Sequence, residues 1–404
     1  MTYFNFLRRH AGFLFFGFSM MGLSNFGQTF FISLYSAEIK ASFDLSNTSF
    51  GALYSSVTLL SGLALLYSGR LIDHWSLPRF TALTLLGSAI GCFFMGLAEN
   101  IIALAIALFL LRHFGQGLSS HTGMTAISRA FTAQRGRAVA FIQLGYATSE
   151  GILPLLLVAV LMWVGWQQSW LLAGSFLLLL ALPVQVYLSR LSPELQAEEA
   201  ATGKGAIIAG RREVLRDMRF YMLLPLYTSS PFLITGMFFH QVQLAQAYSW
   251  SLTALASAFA FYAATKIITS LIFGALIDRY TSLRLFPFAF VPLALGFVVL
   301  LLPAFIPPSI APFIYLIFIG VNLGMAAPLS GALWPELFGT KNLGAIRSMT
   351  TAIVIFSTAA APVLFSALLD MGIGFGAISS ACIAYLIVCG GLAFLASRIT
   401  LADR

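Results

Sequence analysis

Long apolar segments, each able to cross a lipid bilayer as a helix, fill most of this sequence. A hydrocarbon core about 30 Å thick takes about 20 helical residues to cross. Only 9% of the 404 residues are charged, whereas about a quarter are charged in a soluble domain. We therefore predict an all-α protein with twelve transmembrane helices, near residues 11–36, 47–69, 80–98, 101–128, 138–161, 168–189, 220–247, 251–274, 285–304, 311–334, 345–369 and 374–397.

One long polar connection, residues 190–219, divides the twelve segments into two groups of six. It carries charges of both signs together with Pro and Gly, and 206–219 has the pattern of a short amphipathic helix. We therefore predict an N-terminal six-helix bundle at 1–189, a cytoplasmic linker at 190–219 and a C-terminal six-helix bundle at 220–404.

The positive charges indicate how the chain is oriented in the membrane. With both termini in the cytoplasm, 19 of the 22 Lys and Arg residues fall on the cytoplasmic side; Lys40 falls outside, and Arg112 and Lys266 fall within spans. Such a bias sets topology. The net charge of +8 then faces anionic lipid, and no nucleic-acid partner is needed. We expect a monomeric multi-pass protein of a bacterial inner membrane.

A short charged loop occurs twice in the sequence, 205 residues apart. GRLID (69–73), between the second and third spans, recurs as GALID (274–278), between the eighth and ninth. The same offset aligns 43–46 with 248–251, where spans two and eight begin. A constant offset over two helices indicates a duplicated six-helix unit, the parallel-repeat architecture of a large class of transporters.

These loops resemble the loop motif of the major facilitator superfamily. The likeness runs from Gly69 through Arg79 in the first copy and from Gly274 through Arg279 in its echo, and LRHFGQGLSS (111–120) is similar to the family's helix-four motif. The resemblance covers the whole chain. It implies transport by alternating access, in which two bundles rock about a central substrate site.

The repeated acid predicts a gate at the cytoplasmic side. Each loop glycine lets a helix end approach a neighbour, and each aspartate can face the positive N-terminus of an adjacent helix. The alternative is a folding turn or a topology signal. We expect Arg129 and Arg135 to be partners of Asp73, and Arg347 to be a partner of Asp278. The predicted gate residues are Gly69, Asp73, Arg79, Arg129, Arg135, Gly274, Asp278 and Arg347.

Three charged side chains, Arg112, Glu150 and Lys266, lie at membrane depth, where a charge is costly and usually functional. Arg112 and Glu150 occupy similar depths on consecutive spans. They form either a structural ion pair or a proton-coupling pair in which Glu150 is protonated in one state and paired in the other. The second arrangement is possible because burial raises a carboxyl pKa and a nearby cation lowers it.

Lys266, in span eight, is the candidate for substrate binding. No acidic residue lies near it in its own half at membrane depth, and Tyr262 lies one helical turn away. In the superfamily branch that carries monocarboxylates and oxalate, helix eight holds a substrate-binding cation, and the glycines and Pro154 of span five resemble that branch. No second cation lies midway along span eleven, where the oxalate carriers have one, which favours a singly charged anion. The alternatives for Lys266 are snorkelling and pairing with Glu150 across the halves.

Other polar side chains within the spans are further candidates for contact with a small-molecule substrate, although each is more often a helix–helix contact. No phosphate loop, catalytic triad or metal-ligand spacing occurs in the sequence, so we expect neither enzyme activity nor a cofactor or bound metal. With Lys266, the predicted substrate-binding residues are Arg112, Tyr262, Asn25, Gln28, Tyr35, His113, Gln116, Tyr146, His240 and Asn322.

Two other functions remain open. One is proton-coupled efflux of drug-like or natural-product molecules, but Glu150 stands where the span-five Gly-Pro motif of that branch has its proline. The other is a non-transporting receptor on the same fold, which would need a signalling tail, whereas each terminus here extends only about ten residues beyond the spans.

Overall fold

The computed structural model describes residues 8–131, 134–191, 214–338 and 343–402, and these ranges are overwhelmingly helical. Eleven helices are long and apolar enough to cross a membrane, and one shorter apolar helix precedes them. The fold class is therefore the one predicted. In chain order the helices are α1 (Ala11–Gly27), α2 (Asn47–Asp73), α3 (Leu77–Gly96), α4 (Ile101–Ala130), α5 (Gly136–Val164), α6 (Trp166–Ser189), α7 (Met218–Phe239), α8 (Leu252–Tyr280), α9 (Ser282–Leu301), α10 (Ala311–Phe338), α11 (Met349–Asp370) and α12 (Phe375–Thr400).

The first span is broken, where the sequence predicted one continuous helix at 11–36. α1 ends at Gly27, and Gln28 has extended backbone with φ −79° and ψ 151°. Short helical turns then carry the chain on to Ser42. The physical reason lies in the packing: a Cβ at Gly27 would collide with the backbone of α4 at Leu111.

The duplication predicted from the sequence is visible in the backbone. The seventh span is interrupted at His240, and a seven-residue helix, Gln241–Ala247, follows. The equivalent helix 205 residues earlier, Ser36–Ser42, has the same length and follows Tyr35. The φ and ψ angles are −97° and 7° at Tyr35 and −101° and 17° at His240. The two copies of the sequence thus adopt the same local structure.

The next helix also begins in the same way in both copies. Asp44 and Ser249 both take the left-handed conformation, with φ 49° and 56°. Two residues on, the side chains of Ser46 and Ser251 each accept a hydrogen bond from the backbone N–H three residues later. These serine caps satisfy donors that a helix N-terminus leaves free, and they fix the starts of α2 and α8.

Contacts within the chain divide it into two units, Met1–Glu198 and Glu199–Arg404. Most of the predicted linker, including most of the amphipathic helix predicted at 206–219, lies outside the described residues. The described residues begin again at Val214. Asp217 then caps α7 by accepting a hydrogen bond from the backbone N–H of Arg219 at 2.8 Å.

In the first unit, small residues bring α1 against α5. A Cβ at Gly145 would collide with the carbonyl oxygen of Phe18, so only glycine allows this approach. Ser149 Oγ donates a hydrogen bond to the Gly22 carbonyl oxygen at 2.9 Å. Close backbone approach at small residues, supported by hydroxyl hydrogen bonds, is how helices associate in lipid.

In the second unit, two glycines spaced four residues apart join α10 to α8; we call this contact the α8–α10 seam. A Cβ at Gly320 would lie 2.5 Å from the carbonyl oxygen of Tyr262, and one at Gly324 would lie 2.5 Å from that of Lys266. This small-x-x-x-small pattern lets the two backbones touch. The seam therefore fixes the part of α8 that carries Lys266.

Replacing Gly324 with Ala should destabilise the protein, because the new Cβ forces α8 and α10 apart. Overpacking of this kind costs about 1–3 kcal/mol, so we expect a lower midpoint of thermal unfolding in detergent. Gly331→Ala is the matched control in the same helix, since a Cβ there meets nothing within 4 Å and alanine favours a helix by about 1 kcal/mol. If Gly324→Ala unfolds at or above the midpoint of the control, the seam does not hold these helices together.

Candidate functional site

Arg112 reaches from α4 to the break in α1. Its Nη1 donates to the Gly27 carbonyl oxygen at 3.0 Å and lies 3.4 Å from Thr29 Oγ1. The guanidinium also lies over the ring of Tyr54, 5.3 Å from the centroid. Because the chain turns away at Gln28, the amide of Phe31 donates to the Gln28 carbonyl instead of continuing the helix from Gly27. Arg112 therefore supplies a donor that the broken helix lacks.

The backbone of α4 is unusual where it carries Arg112. Residues Leu111–Ser119 form a π-helix, a wider turn that often occurs at functional sites. His113, in the same segment, is buried; its Nδ1 lies 3.3 Å from the Ser61 carbonyl oxygen of α2, and its ring stacks on Phe109. His113 thus has the contacts of a residue that joins α4 to α2.

Asn25 and Tyr146 are brought together where α1 meets α5. The Asn25 side chain is fully buried, and its Nδ2 donates to the Tyr146 carbonyl oxygen at 3.0 Å. Asn25 Oδ1 is buried without a hydrogen-bond partner among the described residues. The side chain of Asn25 therefore contacts the backbone of Tyr146, and its buried Oδ1 is unpaired among the described residues.

Glu150 lies at the middle of α5. It is the fifteenth of the 29 residues of this helix and is 3% exposed. Pro154, four residues on, has no N–H, so the backbone carbonyl of Glu150 lacks its usual helical donor. Among the described residues, the hydrogen bonds and the cation–π contact of Arg112 are with Gly27, Thr29 and Tyr54, so a pair between Arg112 and Glu150 stays a prediction.

Lys266 lies at the middle of α8, also as the fifteenth of 29 residues. About 21 Å of helix extends from it in each direction. Its Nζ lies 3.5 Å from Tyr262 Oη and 5.4 Å from the centroid of the Tyr262 ring. The predicted neighbours are therefore in contact, and the α8–α10 seam holds the backbone beneath them.

The remaining predicted substrate residues occupy separate places. Tyr35 packs on Trp170 of α6 with ring centroids 5.0 Å apart. His240 Nε2 lies 3.1 Å from Ser366 Oγ of α11, and Asn322 Nδ2 donates to the Ala289 carbonyl oxygen of α9 at 2.8 Å. These three residues therefore make helix–helix contacts, which were the alternative to the substrate contact predicted for each of them. Two further candidates, in the α1 break and the π-helix, are half-buried: Gln28 and Gln116.

At the first repeated loop, Asp73 pairs with Arg129, as predicted, through Oδ1 and Nη2. Both side chains are nearly half exposed, and an ion pair in such a position contributes about 1 kcal/mol or less. Gly69 accepts a hydrogen bond at its carbonyl from His121 Nε2 at 3.0 Å, a contact that the sequence did not predict. Arg79 is exposed at the start of α3, and the side chain of Arg135 lies outside the described residues.

The second repeated loop is built differently from the first. A Cβ at Gly274 would meet no described atom within 4 Å, so the close approach predicted for this glycine is absent from its half. Asp278 is exposed, and within the described ranges it makes neither a hydrogen bond nor an ion pair. The side chain of its predicted partner, Arg347, lies outside them.

In this second copy, the acid that holds a helix end is Glu336, near the end of α10. Its Oε1 accepts from the backbone N–H of Ser282 at 2.8 Å and its Oε2 from that of Leu283 at 3.0 Å. These are the first residues of α9, where the helix dipole is positive. The chain enters α9 through Thr281, whose φ of 68° is rare for a β-branched residue. Sequence reasoning missed Glu336, although the acid in WPEL near the end of a span was the available signal.

Groups of three or more His, Cys, Asp or Glu side chains that could hold a metal ion do not occur in the described ranges. The three cysteines, Cys92, Cys382 and Cys389, are free and buried.

Comparison with known proteins gives a consistent result. A profile of the Major Facilitator Superfamily matches residues 14–362, and no curated protein matches the sequence. The fold is similar to that of a bacterial homolog of the human lysosomal transporter Spinster, solved inward-facing and unoccupied, with 17% identity and a TM-score of 0.72 over 98% of each chain. It is also similar to a mutant of the peptide transporter POT, with 18% identity and a TM-score of 0.65 over 96% of this chain and 93% of that chain.

Arg112→Ala should destabilise the protein, because it leaves the buried Gly27 carbonyl without the donor that Arg112 supplies. An unsatisfied buried acceptor costs about 1–3 kcal/mol, so the midpoint of thermal unfolding should fall with no substrate present. Arg112→Lys, which keeps a donor, should recover part of the loss, and Gln143→Ala on the exposed face of α5 is the control. Unchanged stability of Arg112→Ala would contradict a structural role for this arginine.

Proposed function

The chain belongs to the major facilitator superfamily, and from this premise we propose that it is a secondary active transporter that moves a small organic anion of the monocarboxylate type together with protons. The family supports a transporter that works by alternating access. The substrate class and the coupling ion are proposed from the charges that the two units hold at membrane depth. The observation that carries the substrate class is the position of Lys266.

A lysine at the middle of a membrane helix is energetically unfavourable and therefore rare. The ammonium group is stable there when an anion, a paired carboxylate or water compensates for the hydration that it loses. Lys266 has a phenol hydroxyl at 3.5 Å, and a hydroxyl can donate to a bound carboxylate. One ammonium and one hydroxyl together offer the charge and the donors that a single carboxylate group accepts.

The seam beneath Lys266 supports the same proposal. A binding group must be held in place by residues whose positions are fixed by packing. Gly320 and Gly324 lock the α8 backbone at Tyr262 and Lys266 against α10. The two donors are therefore presented from a stretch of helix that has little freedom to move by itself.

We assign proton coupling to Glu150. It is a buried carboxyl group at the midpoint of α5, beside a proline that disrupts the local backbone hydrogen bonding. Burial disfavours the charged form of a carboxyl group and a nearby cation favours it. A conformational change that alters the surroundings of Glu150 would therefore bind or release a proton. This is the energetic link that a proton-coupled transporter needs.

We further propose that Asp73 with Arg129, and Glu336 with the start of α9, form the gate at the cytoplasmic ends. Each contact joins the ends of two helices of the same unit: α2 to α4 in the first unit, and α9 to α10 in the second. The Asp73–Arg129 pair is weak because it is half exposed, so it can open and close at little cost. The proposal includes the orientation expected from the charge bias, with both termini in the cytoplasm of a bacterial cell.

Changing Lys266 should remove anion binding selectively. We expect purified wild-type protein to bind small monocarboxylates in calorimetric titrations. Lys266→Gln should weaken that binding at least about tenfold, since a hydrogen-bonded charge contributes about 1.5–3 kcal/mol, and Lys266→Arg should keep part of it. Lys40→Gln, outside the spans, is the control. If no small carboxylate binds, or if Lys266→Gln binds like wild type, the substrate assignment is wrong, and efflux of drug-like or natural-product molecules, or transport of a neutral solute, takes its place.

Changing Glu150 should separate coupling from transport. In proteoliposomes, Glu150→Gln should fail to accumulate substrate in response to a pH gradient, because it has no proton to exchange. Exchange of labelled for unlabelled substrate should continue, since that process needs no net proton movement. Glu99→Gln, in an exposed loop, should behave as wild type. Full pH-driven uptake by Glu150→Gln would contradict proton coupling by Glu150 and would indicate that this residue has a structural role.

Changing the gate acids should expose the cytoplasmic side. A reporter cysteine placed at the cytoplasmic end of α4 gives little background, because the native cysteines are buried. Asp73→Asn and Glu336→Gln should each increase the rate at which a membrane-impermeant maleimide labels the reporter, whereas Glu99→Gln should leave the rate unchanged. Asp278→Asn tests the predicted pair with Arg347 separately. A labelling rate unaltered by both Asp73→Asn and Glu336→Gln would rule out the gate.

A further inference from the structure

A cavity of about 420 Å³ opens on the surface of the first unit between α5 and α6, with α1 as its floor; we call it the inner groove. It runs along α1 from Phe15 to Phe26 and along α6 from Gln185 to Phe176. Next to the groove, α5 lies close against α1, because a Cβ at Gly145 would collide with the carbonyl oxygen of Phe18. The residues facing the opening include small ones, among them Gly22, Ser149 and Ala181.

The rim of the inner groove faces the surroundings of the bundle. Phe15, Leu180 and Val184 are 51%, 56% and 41% exposed, and all three are apolar. Exposed apolar side chains on membrane helices face lipid. The inner groove is therefore open to the acyl chains of the bilayer.

The dimensions of the inner groove match one leaflet. From Phe15 to Phe26 is eleven residues of helix, or about 16 Å. Half of a hydrocarbon core of about 30 Å is about 15 Å. Phe26, Leu153 and Phe176 line the deep end of the inner groove and also a second cavity of about 270 Å³ that adjoins it. The inner groove thus has the length of a single acyl chain that starts at the inner membrane surface.

The end of the inner groove near that surface is polar. Gln185 is 2% exposed, and its Nε2 donates to Ser19 Oγ. Its Oε1 is buried with no hydrogen-bond partner among the described residues. Gln185 precedes the end of α6 at Ser189 by four residues, about 6 Å, which places it just beneath the head groups. A buried amide oxygen without a donor is costly, and a donor from the groove would remove that cost.

We propose that the inner groove binds one acyl chain of an inner-leaflet phospholipid, and that a hydroxyl or ammonium N–H of its head group donates to Gln185 Oε1. The acyl chain packs against the apolar walls of the inner groove. The head group donates a hydrogen bond to Gln185 Oε1, which is unpaired among the described residues. Ethanolamine and glycerol head groups have such donors, whereas choline has none. This lipid site is distinct from Lys266 and does not depend on which substrate is carried.

Native mass spectrometry of the purified full-length protein tests the proposal with three phospholipids of identical acyl chains. Wild type should retain one phosphatidylethanolamine or phosphatidylglycerol about fivefold more than phosphatidylcholine, the ratio that one net hydrogen bond gives. Gln185→Leu should still bind lipid but lose this preference. Phosphatidylethanolamine and phosphatidylcholine are both zwitterionic, so a difference between them reports the donor and not the charge.

A second pair of variants tests the groove itself. Ala181→Phe fills the inner groove and should lose the bound lipid, whereas Leu179→Phe, at a neighbouring residue that is 74% exposed and does not line the groove, should retain it. Should Ala181→Phe fail to fold, Gln185→Leu carries the test. Absence of a bound lipid in wild type, equal retention of the ethanolamine and choline lipids, or retention by folded Ala181→Phe equal to that of Leu179→Phe would overturn the proposal.

Discussion

Within a bilayer, every backbone polar group has to find its partner inside the protein, and the first unit of this transporter depends on how that demand is met at one place. α1 breaks at Gln28, which releases the Gly27 carbonyl from the helix. Arg112 supplies the missing donor from a widened turn of α4. Arg112 is thus engaged by the backbone, and Glu150 and Lys266, at the midpoints of α5 and α8, remain the candidates for coupling and substrate.

Much of the fold could be predicted because its signals are carried by composition and repetition. Apolar length gives the spans, and the 205-residue offset places matching turns at Asp44 and Ser249 and matching caps at Ser46 and Ser251. The break at Gln28 could not be predicted in this way. No proline marks it, and it arises because Gly27 lies against the backbone of α4, a tertiary contact between residues far apart in sequence.

The site was predicted less completely, and the second loop shows why. A duplicated sequence preserves residue types, so Asp278 was expected to do what Asp73 does. The partners of a side chain depend on the neighbouring helices, and those have diverged: Arg129 ends α4, whereas Glu336 lies near the end of α10. In both units an acid joins two helix ends: Asp73, at the end of α2, pairs with Arg129, and Glu336, near the end of α10, accepts hydrogen bonds from the start of α9. Lys266 and Tyr262 were predicted together because helical spacing alone places them on one face.

The α8–α10 seam has a mechanical consequence. Two helices that touch backbone to backbone bend less than either would alone, so they behave as one beam with Lys266 at its centre. The C-terminal end of α8, at Tyr280, is about 21 Å from that centre. A tilt of the beam by about 10° would carry the end through about 4 Å, further than the length of a hydrogen bond. An ion that tilts the beam slightly by binding near its middle would therefore displace the helix ends by several ångströms. At one of these ends Glu336 holds the start of α9.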